Sequence, residues 1–145
     1  MNEAGTASLY TPELLGLAVS LARYPTIDQA EHVGEARSRT CGSTATVSFE
    51  LDRTARIARA GLRVSACAIG QAAAAIFADG AIGRDRTEIE RALAQLESWL
   101  GGGPEPDWPG FVPLAPARAH PGRHGALLLP WRAALAALPK ADRPG

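Results

Sequence analysis

Eight consecutive residues, Thr44 to Leu51, alternate without a break between apolar side chains (Ala45, Val47, Phe49, Leu51) and polar ones (Thr44, Thr46, Ser48, Glu50). A period of two sends neighbouring side chains to opposite faces, so this stretch predicts a strand with one face on a core and the other outward. A turn near Asp52-Arg53 follows. Ala58, Ala60, Leu62 and Val64 then alternate with small or polar residues, which predicts a second strand and an antiparallel hairpin. A weaker strand over 33–39 precedes the pair.

The period changes on either side of the strands. Leu14, Leu15, Ala18, Val19 and Ala22 recur at helical spacing behind Thr11 and Pro12, a cap and a first-turn proline, so a helix is expected over 12–22. Ser65 is expected to cap a helix that starts near Cys67, turns Ile69, Ala73, Ile76 and Phe77 inward and stops at Asp79-Gly80. Thr87 and Glu90 fit a capping box, followed by the stripe Ile89, Leu93, Leu96, Leu100 and a glycine stop at 101–103. Those glycines lack the Lys-Ser or Lys-Thr of a phosphate loop. Residues 104–121 are rich in proline and read as a surface loop, and 127–138 supply a last helix. Trp99, Trp108 and Trp131 read as core or loop anchors.

The sum is an α+β fold, a small antiparallel three-stranded sheet with helices packed on one face. One domain is expected over 1–138, with a frayed tail at 139–145. Lys plus Arg and Asp plus Glu both total 15, so no charged field calls for nucleic acid or an anionic membrane. The longest apolar run, 66–78, is interrupted by Gly70 and Gln71 and is too short to span a bilayer. Residues 1–4 lack the basic start and apolar core of a secretory signal, which points to the cytoplasm. Two cysteines in a reducing compartment read as free thiols, ligands or redox groups rather than a structural disulfide.

Cys41 lies in Thr40-Cys41-Gly42-Ser43, a glycine-containing break between the first and second strands that should bring its thiol to a loop tip. Cys67 stands where strand gives way to helix, and the unsatisfied N–H groups of a helix start favour the thiolate there. The plain alternative for each is a small buried hydrophobe. His124 is a candidate third ligand or a hydrogen-bonded loop histidine; His32 and His120 are weaker candidates, and Arg123 could attract sulfide or carboxylate.

Cys-Gly before an alternating strand, a hairpin, then Ser65-Ala66-Cys67-Ala68-Ile69 opening an alanine-rich helix resembles the NifU/IscU/SufU iron-sulfur cluster assembly scaffolds. The later stretch Pro121-Gly122-Arg123-His124-Gly125-Ala126-Leu127-Leu128-Leu129-Pro130-Trp131 resembles the SufU-like segment that carries a third cysteine, so the likeness covers nearly the whole chain. It implies a carrier and not an enzyme, one that accepts sulfur and holds iron or a transient iron-sulfur cluster on Cys41 and Cys67, with His124 as a further donor. It also implies a cysteine desulfurase and cluster-accepting apo-proteins as partners. The sequence departs from the pattern in two places. Ser43 stands where the family has Asp, and the third cysteine falls on Ala126, or on Gly125 if His124 is matched to the family's histidine. The IscU-like chaperone-docking motif has no counterpart before His124. Two other readings stay open: a degenerate, metal-free partner-binding homologue, and a zinc or thiol-redox protein.

Overall fold

The computed structural model of the protein describes residues 9–39 and 42–140. Helix α1 (Pro12–Ser20) leads through a 3₁₀ turn (Leu21–Arg23) to strands β1 (His32–Arg37), β2 (Thr44–Leu51) and β3 (Ile57–Ser65). Helices α2 (Ala68–Ala81) and α3 (Arg86–Leu100), two 3₁₀ segments (Val112–Ala119 and Pro121–Arg123) and helix α4 (His124–Ala137) complete the order. The strands form one antiparallel sheet in the order β1-β2-β3. Among the described residues no helix is long and apolar enough to cross a membrane.

The alternating stretch becomes the central strand, and Ala45, Val47 and Phe49 are fully buried on its inner face. Val47 lies between Gly34 of β1 and Leu62 of β3 in the register. Helix α4 crosses β1 and β2 on this face, while α2 packs on β3 and on α4. Helix α1 leans on α2, and α3 on α4, so the α-helices sit on one side of the sheet as the sequence predicts.

The outer face is not left wholly to solvent. Ser48 belongs to the polar set of β2 but is buried, because the segment after the first 3₁₀ turn folds over it. The Ile27 amide donates to Ser48 Oγ at 3.0 Å, and Leu62 N–H donates to Tyr24 O at 2.9 Å along the free edge of β3. The Tyr24 hydroxyl in turn donates to Asp79 at the end of α2, and that bond pushes the phenol above its ordinary pKa.

Thr11 caps α1 as expected, its Oγ1 accepting from the Leu14 amide at 3.1 Å. The other caps differ from expectation. Cys67, not Ser65, holds the N-cap position of α2. Gly80 does not stop α2; it makes room inside the helix for Trp108, whose Nε1 would lie 2.7 Å from a Cβ at that position. Helix α3 begins earlier than Thr87, at a capping box of Asp85 and Glu88, with Glu88 N–H donating to Asp85 Oδ1 at 2.9 Å and Asp85 N–H donating to Glu88 Oε1 at 3.3 Å. Arg56, from the β2–β3 turn, reaches Glu88 at 2.7 Å and Asp85 at 3.6 Å, which favours this pair over Thr87 and Glu90. Asp85→Ala should therefore lower stability by about 1 kcal/mol, the usual loss for a cap, while Thr87→Ala stays within about 0.5 kcal/mol of native. Urea titration of the two variants reads this directly, and the reverse order would mean that Thr87 is the cap.

Residues 104–121 are not a surface loop. Trp108, Phe111, Leu114 and Ala117 are all buried, and the Trp108 indole donates to Ile76 O at 3.0 Å. Helix α4 starts at His124, three residues before its expected start. Residues 141–145 of the expected tail lie outside the described residues.

Candidate functional site

Strand β3 ends at Ser65, Ala66 turns the chain, and Cys67 caps α2 with φ −66° and ψ 174°. The thiol-bearing residue is half-buried. A serine or aspartate at this position would accept from a first-turn amide. No such side-chain bond is made here, and the first turn of α2 carries no acidic residue. Among the described residues, the N-cap side chain therefore leaves the first-turn N–H groups of α2 uncapped, where a negative charge is favoured.

The register brings the β1–β2 loop to the same end of the sheet. Arg37 pairs with Thr44, and Thr44 pairs with Ser65, two residues from Cys67. The loop is closed by Ser38 N–H donating to Ser43 O at 2.8 Å and Gly42 N–H donating to Ser38 O at 3.1 Å. Gly42 takes φ +70°, a left-handed conformation that favours glycine. Cys41 lies outside the described residues, and so does the expected approach of Cys41 to Cys67. Ser43, at the position where the scaffold pattern has Asp, is buried beside the start of β2.

The start of α4 meets the start of α2 at a close contact. A Cβ built on Gly70 would lie 3.4 Å from Ala126 Cβ and 2.6 Å from Ala66 Cβ. Ala126, one of the two positions on which the pattern's third cysteine falls, is fully buried against the first turn of the helix that Cys67 caps. Positions 43, 67 and 126 gather at one end of the molecule, and two of the three, Ser43 and Ala126, have neither a thiol nor a carboxyl group.

His124 opens α4, but its ring is engaged. Nε2 lies 3.0 Å from Arg118 O, and since a carbonyl only accepts, that nitrogen is the donor. Arg118 itself donates to Trp99 O at 2.8 Å and Gly103 O at 3.1 Å, so the ring takes part in tying α4 to the end of α3. His32 is removed from this end: it pairs with Phe49 at the opposite end of β1 from Arg37. His120 precedes the second 3₁₀ segment and is half-buried. Among the described residues no three His, Cys, Asp or Glu side chains come together as a metal-binding group.

The residue that sequence reading passed over is Gln71. Its position, four residues after Cys67 on the same helix face, is the signal that could have drawn attention to it. Its side-chain Nε2 donates to Ala66 O at 3.0 Å.

A three-stranded antiparallel sheet under an alanine-rich helix, with a cysteine at the strand-to-helix junction, makes this an α+β domain. No protein-family model matches the chain, and no curated protein matches it in sequence. Among solved structures it is similar to the N-terminal part of a nitrogen-fixing NifU-like protein from Brucella abortus, with a TM-score of 0.83 and 26% identity over 92% of this chain and 94% of that one. It is also similar to a putative iron-sulfur cluster assembly scaffold protein for the SUF system from Fervidobacterium islandicum AW-1, with a TM-score of 0.81, 22% identity, and coverage of 92% and 98%. A third structure, described only as a hypothetical protein, gives a TM-score of 0.64 at 18% identity over 84% and 93% of the two chains. The chain has the fold of the NifU-like and SufU scaffold proteins, as its sequence pattern suggests.

Proposed function

We propose that the chain is a cytoplasmic iron-sulfur cluster assembly scaffold, a carrier and not an enzyme. It receives sulfur on a cysteine thiolate and holds iron or a transient cluster between Cys41 and Cys67. The observation that carries this reading is Cys67 at the N-cap of α2, beside the closed end of the hairpin that bears Cys41, on a fold shared with two scaffold proteins. Sulfur transfer balances as thiol exchange: the thiolate attacks the outer sulfur of a donor persulfide, a new S–S bond forms, and the donor cysteine leaves as thiolate. A cysteine desulfurase is the matching donor, and a cluster-accepting apo-protein the matching recipient.

A second reading, a metal-free partner-binding homologue, draws support from Ser43 and Ala126, which replace two anionic donors. A zinc or thiol-redox protein is the third. Metal and acid-labile sulfide analysis of anaerobically purified protein separates them: iron with sulfide is the expected result, zinc alone favours the third reading, and neither favours the second. The double variant Ser43→Asp with Ala126→Cys adds two anionic donors to the site and should raise metal affinity by more than either change alone. If native protein and double variant both fail to hold iron or zinc under reducing, anaerobic conditions, the scaffold reading is wrong.

A further inference from the structure

Cys67 sits between two peptide units, and one residue anchors both of them. The Gln71 backbone N–H donates to Cys67 O at 3.0 Å, and the Gln71 side-chain Nε2 donates to Ala66 O at 3.0 Å. The orientation of those two peptide planes is what defines φ and ψ of Cys67, so both of its backbone torsions are held from a single side chain and its own amide.

The usual devices for fixing a helix entry are missing here. A capping box needs Glu or Gln at the third helical position, which is Gly70. A side chain there is excluded, since even a Cβ would meet Ala66 Cβ at 2.6 Å. The hydrophobic staple needs an apolar residue at the fourth position against the residue before the cap. That fourth position is Gln71, and the residue before the cap is Ala66. A hydrogen bond to the Ala66 carbonyl thus stands in for the staple and sets the angle at which β3 hands over to α2.

The geometry points to Gln71 as the positioning residue of the Cys67 thiol, a role that rests on and deepens the scaffold reading. Gln71 holds the thiolate in one place so that iron or sulfur is met by a sulfur already in position. Without the Nε2 bond the 66–67 peptide is free to rotate, and the thiol spreads over several orientations that bound cargo must then narrow. Partners of metal ligands commonly contribute about 10- to 100-fold to affinity by this route.

Gln71→Met tests it, because Met matches Gln in length and lacks the donor. In the reduced, metal-free full chain, iodoacetamide modification of Cys67 is followed on the peptide that bears it, and Zn²⁺ affinity is measured by competition with a chromogenic chelator. The expected result is a rise in the alkylation rate of about threefold or more, as a half-buried thiol is released, and a loss of Zn²⁺ affinity of about tenfold, at an unchanged urea midpoint. Native rate and native affinity in the variant overturn the assignment while leaving the scaffold reading intact. A changed alkylation rate in a chain that holds neither Zn²⁺ nor iron, either in its native form or with Ser43→Asp and Ala126→Cys, keeps the role of Gln71 and overturns the scaffold reading. Should the Met variant fail to fold, Gln71→Leu carries the same two measurements, and a native rate with native affinity there overturns the assignment equally.

Discussion

Trp131→Ala is expected to destabilise the fold by about 3–5 kcal/mol, in the range of large aromatic truncations in a packed core. Trp131 is fully buried and meets Phe77 edge-on at 5.5 Å and Trp108 edge-on at 5.4 Å. Phe77 stacks on Trp108 at 5.6 Å and lies 6.2 Å from Phe49. Four elements therefore meet at these rings: α4, α2, the segment before the long 3₁₀ turn, and β2. Removing the indole opens a cavity that none of them can fill alone, because each is fixed by other contacts. The indole also carries a liability, since its Nε1 is buried and has no hydrogen-bond partner among the described residues. An unmet buried donor costs about 1–3 kcal/mol, so Trp131→Phe should lose much less than the difference in size suggests. Urea unfolding with an unchanged m-value measures both. A loss below about 1 kcal/mol for Trp131→Ala would mean that these rings do not form the centre of the core.

Gly34→Ala is the smallest substitution with a comparable effect. A Cβ at this position would fall 2.3 Å from Ala137 N and 2.4 Å from Ala133 O, both backbone atoms of α4. No rotamer change relieves such a clash; the helix must lift from β1 as a unit. We expect a loss at or above the upper end of overpacking, about 3 kcal/mol, together with a shift of the near-ultraviolet dichroism of Trp131 on the same helix. Gly61→Ala provides the comparison. Its Cβ would approach Pro25 O at 2.2 Å, also a backbone atom, in a segment held to the sheet by the Tyr24 and Ile27 bonds, so a comparable loss is expected there. An unchanged midpoint for Gly34→Ala would show that α4 is not seated on the first strand.

These glycines also show where sequence reading stops. The alternation of β2 was sufficient to place Ala45, Val47 and Phe49 inward, because period two is a local property of the chain. That Gly34 must be glycine is a property of a helix a hundred residues away, and no local pattern records it. The capping boxes make the same point at shorter range. Asp85 with Glu88 and Thr87 with Glu90 both satisfy the spacing, and the choice between them rests on Arg56, which arrives from another element.

The proline-rich stretch carried a legible signal that composition obscured. Trp108, Phe111, Leu114 and Ala117 stand three residues apart and are buried in turn, and the last two lie in the 3₁₀ helix Val112–Ala119, whose period is three. At the site, the strand-to-helix junction placed Cys67 correctly to within a residue, because strand and helix periods meet there. His124 was read as ligand or loop histidine, and its bond to a backbone carbonyl six residues earlier depends on the turn between them. The spacing of Gln71 from Cys67 becomes meaningful only once the Ala66 carbonyl that its side chain reaches is known.

Helix α2 owes its position to Ala72, Ala73, Ala74 and Ala75, all fully buried. Alanine has no side-chain torsion, so this rod surrenders almost no side-chain entropy on folding and has no alternative rotamers with which to absorb a disturbance. A larger side chain at any of the four has no free space, so α2 or its neighbours would have to shift to admit it. Since α2 begins at Cys67, such a substitution would be felt in the helix that carries the thiol.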